Sequence, residues 1–163
     1  MSTDTLTTEF ALRMSRAWAT LQRRLDNALG GHHGISFADY QLLLQLQRAP
    51  GGRLRRVDLA EKLGLTASGV TRSLLPLEKI GLVARQSDPR DARVGYALIT
   101  PAGSELVTNA TVVVDNVSRT VLGGPSRAQL EATSTLMAQI AGVPPVASLT
   151  PTGDRAPVPQ QHG

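Results

Sequence analysis

The sequence predicts a mainly helical fold with a small β-hairpin near the middle of the chain, and three observations carry that expectation. Apolar residues recur at intervals of three and four over long stretches near both ends, the period of amphipathic helices. In the central third, two short helical patterns meet at a tight Gly64-Leu65 turn. Directly after them, Leu82 and Val83 start a strand that runs into the charged segment QSDPRDAR, and Val94 to Ile99 reads as its return.

Composition narrows the class. The 163 residues suit one domain, expected over residues 1–141 with a disordered, proline-rich tail from 142 to 163. An apolar content of 41% supplies a core, and no stretch is long enough to span a membrane. There is no cationic and apolar segment at the N-terminus, so a cytoplasmic location is expected. Cysteine is absent, which removes disulfides, thiolate metal sites and thiol redox switches. The net charge of +4 is concentrated: Arg53 to Arg93 holds nine Lys or Arg against five acids, and the remainder of the chain cancels.

Taken in order, Leu6, Phe10, Met14, Ala17, Leu21 and Leu25 line one face of a long first helix, over residues 5–29. It is longer than a small domain needs, so its apolar face is expected to pack on a second subunit as well. Trp18 beside that stripe suits either core and dimer packing or the wall of a ligand pocket. The run Gly30-Gly31-His32-His33-Gly34 is expected to break the helix. Its adjacent histidines lack the spacing of a shared metal site, with Asp26 and Asp39 the only available helpers, and no metal or other cofactor is expected. Ser36 and Asp39 form a capping box, with Ile35 and Tyr40 as the staple around it, and Tyr40, Leu43, Leu44 and Leu46 point inward. Pro50-Gly51-Gly52 ends this second helix.

Arg53 to Arg56 is expected to add a third, edge strand to the hairpin. For each of Arg53, Arg55 and Arg56, contact with an anion and plain solvent exposure are equally open. Leu59, Ala60 and Leu63, closed by Gly64, make a short third helix. Thr66 caps the fourth, with Leu65 and Val70 as a staple and Val70, Leu74, Leu77 and Ile80 on its buried face. Its other face carries Ala67, Ser68, Thr71 and Arg72: small, hydroxylic and cationic, a chemistry that fits a helix laid in a DNA major groove. Pro76 should kink or loosen this helix after the groove-facing turn. Gly81 ends it as the C′ residue. Thr100 with Pro101 starts a fifth helix lined by Leu106, Ala110, Val113, Val114, Val117 and Val121. Ser126 with Gln129 caps a sixth, with Leu130, Thr133, Met137 and Ile140 inward.

The central segment LAEKLGLTASGVTRSLLPLEKIGLVARQSDPRDARV, followed by LITPAG, resembles the winged helix-turn-helix of the MarR family of bacterial transcriptional regulators. The likeness is close over the central third and extends through the order of helices from about Leu6 to Ile140. It implies a winged helix-turn-helix over residues 53–99, flanked by dimerisation helices at 5–29 and 101–141. It also implies a homodimeric repressor whose two recognition helices read an inverted repeat in double-stranded DNA, with half-sites about one turn apart. The expected DNA contacts are Thr66, Ser68, Thr71, Arg72 and Ser73 from the helix, with Arg90 and Arg93 from the wing, whose base Asp88 and Asp91 support. A small molecule, often aromatic, binds between dimer helices and wing in that family; Met14, Trp18, His33 and Tyr40 are the pocket residues expected here. Two other classes compete. An enzyme would need converging acid, base or nucleophile groups, which three histidines and no cysteine do not supply. A winged helix used for protein contact alone would show an apolar recognition face, a reading to which Leu74, Leu75 and Pro76 lend some weight.

Overall fold

The computed structural model describes residues 3–88 and 95–142. Two compact units divide the chain, residues 1–123 and 124–163. The first unit runs α1 (Thr3–His33), α2 (Phe37–Arg48), a 3-10 turn (Pro50–Gly52), β1 (Arg53–Arg55), α3 (Arg56–Leu63), α4 (Ala67–Lys79), β2 (Val83–Ser87), β3 (Gly95–Ile99) and α5 (Pro101–Leu122). The second holds α6 (Arg127–Ala141). The fold class is the expected one, mainly α with a three-stranded antiparallel sheet of order β1-β3-β2.

The core of the first unit gathers Leu29 from α1, Leu43 and Leu46 from α2, Leu59 from α3, Val70, Leu74 and Leu77 from α4, and Val107 and Ala110 from α5. Each capping signal read from the sequence is made. Ser36 and Asp39 close the capping box of α2, with Asp39 N donating to Ser36 Oγ and Ser36 N to Asp39 Oδ2. Asp26 also has a structural partner, because it accepts the Phe37 N–H at 2.7 Å and ties α1 to the start of α2. Thr100 caps α5 through Gly103 N, and its hydroxyl donates to the Gly81 carbonyl, so the start of α5 is tied to the end of α4. Tyr40 and Gln47 of α2 bond Thr111 and Ser104 of α5.

Several expectations need correction. The first helix does not break at Gly30. It continues to His33, and the turn falls at Gly34, whose φ of +67° only glycine adopts without strain. Its apolar stripe is buried only near the C-terminal end, at Leu25 and Leu29, whereas Leu6 is 56% and Phe10 40% exposed and Ala17 is open. The edge strand stops at Arg55, and Arg56 opens α3. The staple before α4 is one-sided, with Val70 buried but Leu65 exposed. Ile80 is exposed rather than inward, because the helix ends one residue before it. Helix α4 runs uninterrupted through Pro76, held by the three buried residues of its inner face. In α6, Leu130, Thr133 and Ile140 are exposed and Met137 is half-buried; Ala138 is the residue of that helix that is buried. Leu42, Gly103 and Val107 are core residues that the periodic reading passed over.

Candidate nucleic-acid interface

The turn from α3 to α4 is built by backbone chemistry that the local sequence dictates. Gly64 takes the left-handed conformation, and Leu65 N bonds the Ala60 carbonyl while Gly64 N bonds that of Glu61, the paired bonds of a Schellman ending. Two residues later Thr66 opens α4, its Oγ1 accepting from Gly69 N at 3.1 Å and sharing a hydrogen bond with Ser68 Oγ at 3.2 Å. The same ending closes α4: Leu82 N bonds Leu77 O and Gly81 N bonds Glu78 O, which sends the chain straight into β2.

Burial then sorts the faces of α4. Val70, Leu74 and Leu77 are at most 2% exposed, which rotates Ala67, Ser68 and Arg72 to the outside. Thr71 is half-buried and donates its hydroxyl to the Ala67 carbonyl, and Ser73 is half-buried at the edge of the face. Arg72 is exposed and has no hydrogen bond or ion pair among the described residues. Of the expected contact residues of the helix, Ser68 and Arg72 share the outer face, Thr71 and Ser73 lie half-buried at its two edges, and Thr66 serves as the cap. Further along, Leu75 and Ile80 are exposed, 47% and 60%, so the far end of the helix is more apolar than its start.

Beside this helix stands the hairpin. Strands β2 and β3 pair from Val83 opposite Ile99 to Ser87 opposite Gly95, and β1 adds to the other edge of β3. Glu78 of α4 accepts a 2.5 Å hydrogen bond from Arg85 Nε of β2, an ion pair that the sequence reading did not single out. Its signal was there, opposite charges either side of the Gly81 turn. The pair braces helix against wing. Asp88, expected as wing support, accepts from the Tyr96 hydroxyl at 3.5 Å. Arg90, Asp91 and Arg93 lie outside the described residues.

The expected pocket residues come together only in part. Tyr40 lines a concavity with Phe37, Gln41, Leu44, Lys62, Leu63 and Val114 between α2, α3 and α5. Trp18 stands outside that lining but its ring is 6.1 Å from Phe37, which in turn stacks at 6.0 Å on Tyr40. Phe37 is the link the sequence reading missed, and its position directly after the Ser36 cap was the available clue. Met14 is half-buried on α1; His33 ends that helix with its Nε2 buried and without a hydrogen-bond partner among the described residues. Among the described residues no group of three or more His, Asp or Glu could hold a metal ion, and no helix is long and apolar enough to cross a membrane.

A capped helix reached through a tight glycine turn, with an antiparallel hairpin braced beside it, defines a winged helix-turn-helix. Residues 33–94 match the sequence model of the MarR family. An uncharacterized HTH-type transcriptional regulator of Bacillus subtilis, YdgJ, is 32% identical over 77 residues; that match spans 47% of this chain and 46% of the relative, a little under half of either. Among solved structures, the MarR family regulator Sco3205 of Streptomyces coelicolor, in complex with DNA, superimposes with a TM-score of 0.78 at 25% identity, over 86% of this chain and 88% of that one. CouR of Rhodococcus jostii, bound to p-coumaroyl-CoA, gives 0.73 at 24% identity, over 83% and 94%.

Proposed function

We propose that this chain is a sequence-specific DNA-binding transcriptional regulator that acts as a homodimeric repressor. The observation that carries the reading is the outer face of α4, where Ala67, Ser68 and Arg72, unpaired among the described residues, are open to solvent beside a hairpin braced by Glu78 and Arg85. Small residues admit a close approach to a crowded surface. The guanidinium fork suits guanine or phosphate, and the hydroxyls add further bonds. Arg90 and Arg93, by the family resemblance, extend the contact from the wing. The solved complex of a similar protein with DNA supports the same use of the fold.

The exposed apolar residues of α1, α5 and α6 support self-association. Leu6 and Phe10 in α1, Val112 and Leu122 in α5, and Leu130 and Ile140 in α6 are each 40% or more exposed in the single chain. Covered by a second copy, they would set two α4 helices on successive major grooves, about 34–36 Å apart. The pocket at Tyr40, approached by the row Trp18, Phe37 and Tyr40, fits an aromatic ligand that relieves repression by preferring one separation of the two helices. Selection of duplexes from a random pool tests the reading. It should enrich an inverted repeat with half-site centres 10–10.5 base pairs apart; a pool that stays unenriched would favour the second reading, a protein-contact module using the exposed Leu75 and Ile80.

A further inference from the structure

The three arginines at the base of the hairpin differ in what holds them. Arg53 lies 5.1 Å from the centre of the Tyr96 ring and donates to Gln86 Oε1 at 3.2 Å, which fixes it across the outer face of the sheet. Arg55 gives the Asp58 carboxylate two hydrogen bonds, from Nε at 2.7 Å and Nη2 at 2.9 Å. That carboxylate neutralises Arg55 locally. Arg56 has no hydrogen bond or ion pair among the described residues.

Arg56 is nonetheless placed. It opens α3, it is half-buried, and its guanidinium lies against Gly95 at the start of β3, where an added Cβ would stand 2.5 Å from Nη2 and 2.9 Å from Nε. Together with Arg55, Val57, Ala67, Ser68 and Thr71 these two residues line an open groove between the wing and the first turn of α4. Among the described residues no carboxylate lines it. A guanidinium carries a planar fork of donors that matches a phosphate group in two parallel bonds, and one without a carboxylate partner among the described residues is matched to an anion.

We propose that Arg56 clamps one backbone phosphate of bound DNA in this groove, beside the hydroxyls of Ser68 and Thr71. The inference rests on the DNA-binding reading above and deepens it. Arg56 then fixes the depth at which α4 enters the major groove without reading a base, since phosphate contacts position a protein and base contacts specify the sequence. Gly95 is the residue that leaves room for it. Arg53 and Arg55, already engaged, contribute less.

The test is a salt series of fluorescence-anisotropy titrations with one selected and one random duplex, on the full chain and on Arg56→Gln, Arg55→Gln and Arg56→Lys. Loss of one phosphate contact should flatten the slope of log K against log salt by about 0.9 in Arg56→Gln, with the same fold-loss on both duplexes. Arg56→Lys should keep the slope, and Arg55→Gln should change it little. Gly95→Ala displaces the guanidinium at constant charge and should weaken binding to both duplexes, which keeps the test open should Arg56→Gln fold poorly. An unchanged slope in Arg56→Gln, or an equal loss in Arg55→Gln, would overturn the assignment while leaving DNA binding intact. A parent chain without salt-dependent binding to either duplex would overturn both.

Discussion

At the scale of single residues, the protein spends its small side chains where surfaces must meet closely. Gly103 is buried against the end of α4: an added Cβ would collide with the Leu82 carbonyl oxygen and approach Ile99 Cγ1 at 2.9 Å. The Leu82 carbonyl is backbone, held by Thr100 N, and has little freedom to yield. Gly103→Ala should therefore destabilise by about 1–3 kcal/mol, the usual cost of overpacking a core, read as a lower urea midpoint. Arg72 is the opposite kind of residue, exposed and unpaired among the described residues, so its truncation should leave that midpoint in place. If it reads a base, Arg72→Ala costs about 1–3 kcal/mol in binding and relaxes preference at one position of the half-site. A loss of affinity equal on all sequences would instead make it a phosphate contact. Gly103 was invisible as a core residue in the sequence, because periodic reading counts apolar side chains and glycine has none.

At the scale of elements, endings and caps were legible and interruptions were not. Ser36, Thr66, Thr100 and Ser126 all cap the helices they were expected to start, because a cap is a bond between a side chain and a backbone N–H two or three residues on. Thr66→Ala should lower stability by about 1 kcal/mol in thermal or urea unfolding. Whether a glycine or proline stops a helix depends on what the neighbouring turns bury, and that information is not local. Gly30 and Gly31 stay helical next to the buried Leu29, and Pro76 sits in a continuous α4 whose Leu74 and Leu77 are anchored in the core. Because Pro76 removes one backbone donor inside that helix, Pro76→Ala should raise stability, by roughly 1–3 kcal/mol. A lower unfolding midpoint in that variant would mean that the ring supplies packing that outweighs the lost bond. The Glu78–Arg85 brace left only a trace in the sequence, opposite charges either side of the Gly81 turn, since the pair forms only once that turn folds β2 back beside α4.

At the scale of the whole molecule, the apolar residues that periodicity assigns inward and burial leaves outside are the informative mismatch. Leu6 and Phe10 in α1 keep helical spacing with Leu25 yet remain 56% and 40% exposed. In the homodimer proposed above, a second copy covers them. Light scattering at micromolar concentration should give the mass of two chains, and Phe10→Glu combined with Leu6→Glu should shift it toward one. Dimer dissociation would also make the unfolding midpoint depend on protein concentration. The mainly α fold with its central hairpin was readable from period and turn chemistry, whereas the pocket at Tyr40 depends on α2, α3 and α5 meeting in space. The central claim is that the open face of α4 and the wing beside it recognise a DNA sequence. Its most direct test is an anisotropy titration of the full chain against the duplex upstream of its own gene, at two salt concentrations, with random DNA as competitor. The account predicts tight binding that survives competition, with one dimer on each inverted repeat and affinity falling as salt rises. Binding abolished equally by any duplex, on this DNA and on duplexes selected from a random pool, would contradict it.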